Sequence, residues 1–281
     1  LINTLLPSKN RPGQLKLTLD SIERFCPNLF DINVLYTATD SKYWEGYQKL
    51  IDESKKYSFH VRFIKESNFY EDFKNVLFTK SLFHLITDDT VFYKSSPIAS
   101  DIDIELLFFE NPELFSFSFR LGLNTKVQTY YLNQTQPDLN DYKIMGHDEN
   151  IIMWNFKNIP SCYNYGYFPA CDSVVYDTNR FWNVIKSKKF NCLRGLEGFH
   201  STYDSIKQNP YSFASSFKQS VAVNLSVNCV SEDGVPSGLV YPLTTEEINT
   251  KYLDGYKLFV EIDPDSVKGC HTELPITFIK E

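Results

Sequence analysis

From its first residue to residue 89 the chain alternates short apolar runs with stretches whose apolar residues recur at helical spacing. INTLLPS, residues 2–8, reads as a strand. GQLKLTLDSIERF follows it, with Leu15, Leu19, Ile22 and Phe25 on one helical face, and such a face is buried against a sheet. DINVLYTATD (31–40), HVRFIKES (60–67) and LFHLITDD (82–89) read as three further strands. SKYWEGYQKLIDESKKY (41–57) and NFYEDFKNVLFTKS (68–81) are the helical patterns between them. Strands that alternate with helices imply an α/β fold with a mostly parallel central sheet and helices on both faces.

Past residue 100 the pattern is looser. LFSFSFRLG (114–122) and CDSVVYDT (171–178) read as strands, and NRFWNVIKSKKF (179–190) and LEGFHSTYDSIKQ (196–208) as helices. TTEEINTKYLDGY (244–256) carries Thr244 three residues before Glu247, the signature of a capping box, and Gly255 where a helix would close. No repeat, low-complexity tract or linker interrupts the chain, so a single domain over residues 1–281 is expected.

Ligands of parallel sheets collect outside the carboxyl ends of the strands. Those ends hold Pro7, Ser8, Lys9, Asn10 and Arg11, then Asp40, then residues 65–68, then the adjacent pair Asp88 and Asp89. Neighbouring carboxylates repel, and a divalent cation reverses that cost. Mg²⁺ or Mn²⁺ takes one or two carboxylates together with phosphate oxygens and water. A metal-bound diphosphate is the guest that suits this chemistry.

LLPSKNRPGQLKLTLDSI (5–22) resembles the opening strand, nucleotide-binding loop and first helix of GT-A-type glycosyltransferases, the nucleotide-diphospho-sugar transferases related to family 2. KNVLFTKSLFHLITDD (74–89) resembles that family's segment from the donor-contacting helix to its D-x-D motif. The resemblance covers about the first 100 residues well and the rest in outline. It implies the nucleotide-diphospho-sugar transferase fold, transfer of a sugar from a nucleotide-diphosphate donor to an acceptor hydroxyl, and Mn²⁺ or Mg²⁺ as cofactor. It also implies a donor half over residues 1–100 and an acceptor and catalytic half over residues 101–281. By the same resemblance Pro7, Ser8, Asn10 and Arg11 line the nucleotide, Asp40 faces the base, and Lys74 and Asn75 match the family's basic-Asn pair. Asp88 would contact the ribose and Asp89 would ligate the metal, while Thr90 stands where some relatives carry a third acid.

Transfer to a hydroxyl needs a group that takes its proton, usually Asp or Glu. Glu197, between Gly195 and Gly198 at the head of a helix, is the first candidate. Its setting resembles the family's acid at a helix start, without the usual Glu-Asp pair. Asp172, in YFPACDSVVY, is the second candidate. His200 lies one turn beyond Glu197 and is a candidate third metal ligand. Trp154 and Tyr167, with Tyr163 and Tyr165, are candidates for an aromatic platform under an acceptor sugar, and Arg120 for an acceptor or phosphate contact. His84, inside LFHLI, reads as a core histidine.

Composition narrows the alternatives. At 42% hydrophobic and 22% charged residues the chain is globular. A net charge of −7 with no basic stripe argues against nucleic-acid binding, and KSKKF (186–190) reads as a solvated helix face. No apolar stretch is long enough to span a bilayer, and LINTLLPSKNRP lacks the basic start and apolar centre of a signal peptide. Six scattered cysteines without a C-x-x-C pair are expected to be reduced thiols, and a cytoplasmic location is the corresponding expectation. Two rival functions stay open. A sugar nucleotidyltransferase shares the strand order but needs a Gly-rich, Arg-bearing loop after the first strand, and PSKNRPG has its glycine late. A degenerate nucleotide-sugar or carbohydrate-binding relative would keep the donor pocket without turnover.

Overall fold

The computed structural model describes residues 1–98, 100–128, 134–146, 149–225, 227–228, 243–272 and 276–280. Its first elements follow the apolar pattern: β1 (Ile2–Lys9), α1 (Pro12–Phe25), β2 (Phe30–Thr37), α2 (Ser41–Ser54), β3 (Val61–Lys65), α3 (Phe69–Leu77) and β4 (Leu82–Leu85). Strand β1 pairs in parallel with both β2 and β4, and β2 pairs in parallel with β3. The middle of the chain adds β5 (Thr90–Phe92), α4 (Asp101–Glu110), β6 (Leu114–Ser118), β7 (Val127–Gln128), β8 (Gln134–Thr135), β9 (Tyr142–Met145) and β10 (Ile151–Asn155). Then come β11 (Val174–Asp177), α5 (Thr178–Ile185), α6 (Leu193–His200), α7 (Tyr203–Gln208), β12 (Phe213–Phe217) and β13 (Ala222–Leu225). The chain closes with α8 (Thr245–Leu253), β14 (Tyr256–Phe259), β15 (His271–Thr272) and β16 (Thr277–Lys280).

A nine-stranded sheet runs β3-β2-β1-β4-β11-β6-β12-β10-β9, and a smaller sheet runs β15-β13-β5. Parallel pairing holds across the first four strands and recurs between β6 and β12, whereas β11 runs antiparallel to both β4 and β6. Alternation along the strands divides the core between the two faces. Ile2 and Leu6 of β1, with Phe30, Ile32 and Val34 of β2, pack under Leu15, Leu19 and Ile22 of α1, Tyr47 and Leu50 of α2 and Ile104 of α4. Leu5 and Leu35 face the other way, toward Phe73 of α3, Phe181 and Ile185 of α5, Leu196 of α6 and Ile206 of α7. Helices thus cover both faces, as the sequence pattern implies.

His84 is a core residue. Its ring stacks on Phe30 at 4.6 Å, its nitrogens meet the Thr4 and Ser173 hydroxyls, and burial lowers its pKa to about 3, so it is neutral. The Thr244–Glu247 capping box is present at the start of α8. Among the described residues no helix is long and apolar enough to cross a membrane. Cys26, Cys171, Cys192 and Cys270 are free thiols, and Cys229 lies outside the described residues.

Three sequence expectations shift. Helix α5 stops at Ile185, because its buried stripe of Phe181 and Ile185 has no apolar successor, and Lys186, Lys188 and Lys189 follow it as exposed residues outside the helix. The single helix expected over 196–208 is two. Thr202 accepts from the backbone N–H of Ser205 and caps α7 anew, while α6 starts earlier, at Leu193. Glu197 therefore lies in the second turn rather than at the head. Strands β5, β7 to β10 and β12 to β16 have no counterpart in the sequence reading; FASSF in β12 buries Ser215 and Ser216 completely, so polarity hides a central strand there.

Gly46 of α2 lies directly against Pro12 of α1 and Asn249 of α8. A Cβ there would stand 2.6 Å from Pro12 Cγ and closer still to the Asn249 carboxamide. Gly46→Ala is expected to cost about 1–3 kcal/mol by overpacking. Thermal unfolding should register this as a melting temperature lower by about 2–10 °C; an unchanged melt would mean that α8 moves aside freely.

Candidate active site

The site grows out of strand register. Val174 of β11 pairs with Leu85 of β4 on one side and with Ser118 of β6 on the other. Both pairings are antiparallel, so two residues beyond the ladder Asp172 stands opposite Thr87 and opposite Arg120. Thr87 Oγ1 donates to Asp172 Oδ1 at 3.3 Å, and Arg120 Nη2 pairs with Asp172 Oδ2 at 3.0 Å. The edge where β4 ends and β11 begins is also where the parallel run of the sheet stops, the kind of place where α/β proteins hold ligands.

Asp88 and Asp89 follow β4 onto the same edge. Asp88 has both oxygens engaged: Oδ1 accepts from Arg11 Nη1 at 2.9 Å and Oδ2 from the Ser8 hydroxyl at 2.8 Å. The buried Tyr47 hydroxyl meets Ser8 Oγ at 2.8 Å and accepts from the Arg11 backbone N–H at 3.2 Å, which fastens the loop between β1 and α1 to this acid. Arg11 also donates to the backbone carbonyl of Asn228. Asp89 lies 3.9 Å from Arg11 Nη1. Its Oδ1 is buried with no hydrogen-bond partner. Burial raises its pKa to about 6, with Asp88 and Asp172 adding to the rise while Arg11 and the Thr87 hydroxyl oppose it.

Glu197 reaches the same centre from α6. Its Oε1 accepts the backbone N–H of Cys171 at 2.8 Å. Burial, and then the charge of Asp172, raise its pKa to about 8, so the carboxyl is mainly protonated at neutral pH. Cys171 beside it is pushed well above the ordinary thiol range by burial and by the two acids. The Tyr167 hydroxyl is raised by burial and by Glu197 and hydrogen-bonds Ser201, which sets this half-buried ring next to Glu197. On the far side Arg120 Nη1 donates toward His271 Nε2 at 3.5 Å. Burial and the charge of Arg120 hold His271 down at about 4, neutral and able to accept.

The sequence candidates therefore separate into groups. Ser8, Arg11, Asp88, Asp89, Arg120, Asp172, Glu197 and Tyr167 share one neighbourhood. Pro7, Asn10 and Asp40 belong to the rim of the strand ends beside it. Asn10, at a left-handed φ of 59°, ties the loop after β2 through Thr39, donating to its hydroxyl and accepting its N–H. Asp40 is exposed and caps α2 by accepting from the Tyr43 N–H. Lys74 stands over the Trp182 ring at 5.8 Å on the opposite, α3–α5 surface, and Asn75 is exposed on the same helix. Trp154 is 1% exposed and donates to the Tyr165 carbonyl, so it is core rather than platform. His200 turns toward α5, with burial and Lys188 lowering its pKa and the Ile185 backbone as its partner, and no interaction joins it to Asp89. Thr87, Tyr47, Asn224, His271 and Cys171 belong to the neighbourhood and were not among the sequence candidates.

One observation bears on a divalent ion: the orphaned Asp89 Oδ1 is a buried carboxylate oxygen that a cation would satisfy. Among the described residues no group of three or more His, Cys, Asp or Glu side chains forms a ligand cage. The donor set thus suits an ion that takes one carboxylate and completes its shell with phosphate oxygens and water, the habit of Mg²⁺.

The sequence matches no protein-family model and no curated protein. Among solved structures the chain is similar to S. aureus TarS, at TM-score 0.44 and 11% identity over 76% of this chain and 34% of that one. It is similar to residues 1–349 of the same protein in complex with UDP, at TM-score 0.43 and 10% identity over 76% and 56% of the two chains. It is also similar to the mannosyltransferase PcManGT from Pyrobaculum calidifontis in complex with GDP-Man and Mn²⁺, at TM-score 0.30 and 8% identity over 47% and 42%. In each case the match spans less than two thirds of the other chain.

Proposed function

We propose that this chain is a GT-A-type glycosyltransferase that moves a sugar from a nucleotide-diphosphate donor to an acceptor hydroxyl, with residues 1–100 as the donor half and 101–281 as the acceptor half. The observation that carries the reading is the cluster of Asp88, Asp89, Asp172 and Glu197 with Arg11 and Arg120 at the edge where the parallel strands end. The motif resemblance over the first 100 residues points to the same chemistry.

Arg11 is the cation on the donor side. Its guanidinium bridges Asp88 and Asp89, a fork suited to a phosphate oxygen as well. Asp88, with both oxygens engaged, acts as the anchor of that fork and of the loop that would carry the nucleotide. Asp89 is the ligand for Mn²⁺ or Mg²⁺, which when bound supplies positive charge for the leaving diphosphate. On the acceptor side Asp172 has both oxygens engaged, whereas Glu197 has a pKa suited to taking up a proton and keeping it near neutral pH. Glu197 is therefore the proposed base, and Tyr167 beside it the aromatic contact for an acceptor ring. The proposed location is the cytoplasm, in line with six scattered cysteines that form no C-x-x-C pair.

Donor binding tests the reading without turnover. Arg11 sets one positive charge against two carboxylates, so a diphosphate beside Asp88 and Asp89 still meets like charge unless a divalent cation joins it. Uridine or guanosine diphosphate is expected to bind measurably in calorimetry with Mn²⁺ and at least about tenfold more weakly in chelator. Equal affinity in both would remove the metal from the proposal, and no binding of either nucleotide would remove the donor site.

A further inference from the structure

Hydrogen-bonded to the Thr87, Asp172 and Arg120 row is a second row made by the three-stranded sheet. Asn224 of β13 pairs with Thr90 of β5 and with His271 of β15, and cross-strand partners project from the same face. Asn224 is 2% exposed and uses both ends of its amide: Oδ1 accepts from Thr90 Oγ1 at 2.9 Å, and Nδ2 donates to Thr87 Oγ1 at 3.2 Å. Each hydroxyl has one proton to give. That of Thr90 goes to Asn224, so across the 3.0 Å contact between Thr87 and Thr90 only Thr87 is able to donate. The Thr87 hydroxyl, already accepting from Asn224, has its own proton left to give, and the carboxylate oxygen it meets is Asp172 Oδ1 at 3.3 Å, a stronger acceptor than the Thr90 hydroxyl. The amide of Asn224 thus turns the Thr87 O–H outward, toward the acids.

We infer that Asn224 is a positioning residue, acting through Thr87 and Thr90 to fix the carboxylate plane of Asp172 on the Oδ1 side while Arg120 fixes it on the Oδ2 side. The inference rests on the reading of this cluster as the transfer site, because a fixed carboxylate matters there for orienting the acceptor. It also accounts for Thr90: a hydroxyl at that position completes the frame, and a third acid there would have no proton to give to Asn224.

Two measurements test this, one of them independent of sugar transfer. In urea unfolding, Asn224→Leu and Asp172→Asn are made singly and together. If the frame holds Asp172, the double variant loses less of its folding equilibrium constant than the product of the single losses, by at least about threefold. In transfer assays Thr87→Val and Asn224→Leu are expected to lower kcat by about 10- to 100-fold while leaving the donor KM within about twofold. Thr87→Ser, which keeps the hydroxyl, should restore kcat. Losses that multiply independently, or a Thr87→Ser as impaired as Thr87→Val, overturn the inference. If Asn224→Leu does not fold, Thr87→Val takes its place in the cycle. A protein that shows the coupling but transfers no sugar refutes the function proposed above and leaves the frame standing.

Discussion

Asp89→Asn is expected to reduce sugar transfer by at least about 100-fold and to abolish its dependence on Mn²⁺, because charge stabilisation by a metal ion contributes several kcal/mol to such a transition state. The fold should survive. Asp89 contributes a buried oxygen without a partner and a carboxyl whose pKa burial has raised to about 6, so the native state gains nothing from its charge. Folding raises this pKa above the usual carboxylate value, so stability tied to the group falls as pH climbs from about 4 to about 6. The neutral Asn escapes that loss. The variant should melt no lower than wild type at pH 7–8, and circular dichroism should be unchanged. An unfolded Asp89→Asn would mean that the pair of acids is a structural turn. A folded variant with full, still Mn²⁺-dependent activity would move the metal to other residues.

How far the site was legible in the sequence follows from where each residue gets its position. Arg11, Asp88 and Asp89 stand at the ends of strands in a repeating β-α unit, and the rule that ligands gather at such ends finds them from order alone. Asp172 was legible as an acid before a strand. Its neighbours were not, because β11 returns antiparallel between β4 and β6, and only that register brings Thr87 and Arg120 opposite it. Asn224 and His271 are ordinary residues on short strands, and nothing in their immediate sequence separates them from any buried amide or ring. Lys74 and Trp154 fail for a complementary reason. The apolar stripe of α3, with Phe69, Phe73 and Val76 buried, sets Lys74 toward α5, and IIMWN in β10 is covered on both faces, so its indole is core. His200 shares a helix with Glu197, but the tight packing of α6 against α5 claims its ring.

Glu197→Gln is expected to slow transfer by about 10²- to 10⁴-fold while leaving donor affinity unchanged, since the lost proton acceptor faces the acceptor side and the diphosphate side keeps Arg11 and Asp89. The pH dependence makes this specific. With its pKa near 8, Glu197 is ionised in only a small fraction of molecules at pH 6, so kcat/KM should rise about tenfold per pH unit below that value and level off above it. The residual activity of Glu197→Gln should lack this limb. Stability gives an independent readout of opposite sign. Between about pH 4.3, where an unfolded glutamate ionises, and about pH 8, the folded state retains a proton that the unfolded chain has lost. Stability therefore falls as pH rises through that window, and Glu197→Gln should flatten the fall in melting temperature. Asp172→Asn, made in parallel, separates the two acids: it leaves Arg120 buried without its carboxylate, so it should lower the melting temperature clearly, which Glu197→Gln should not. A rate loss in Asp172→Asn with a near-normal Glu197→Gln would move the base to Asp172. Normal rates and the same rising pH limb in both variants would leave neither carboxylate as the base and would point to a reaction in which the departing phosphate takes the acceptor's proton.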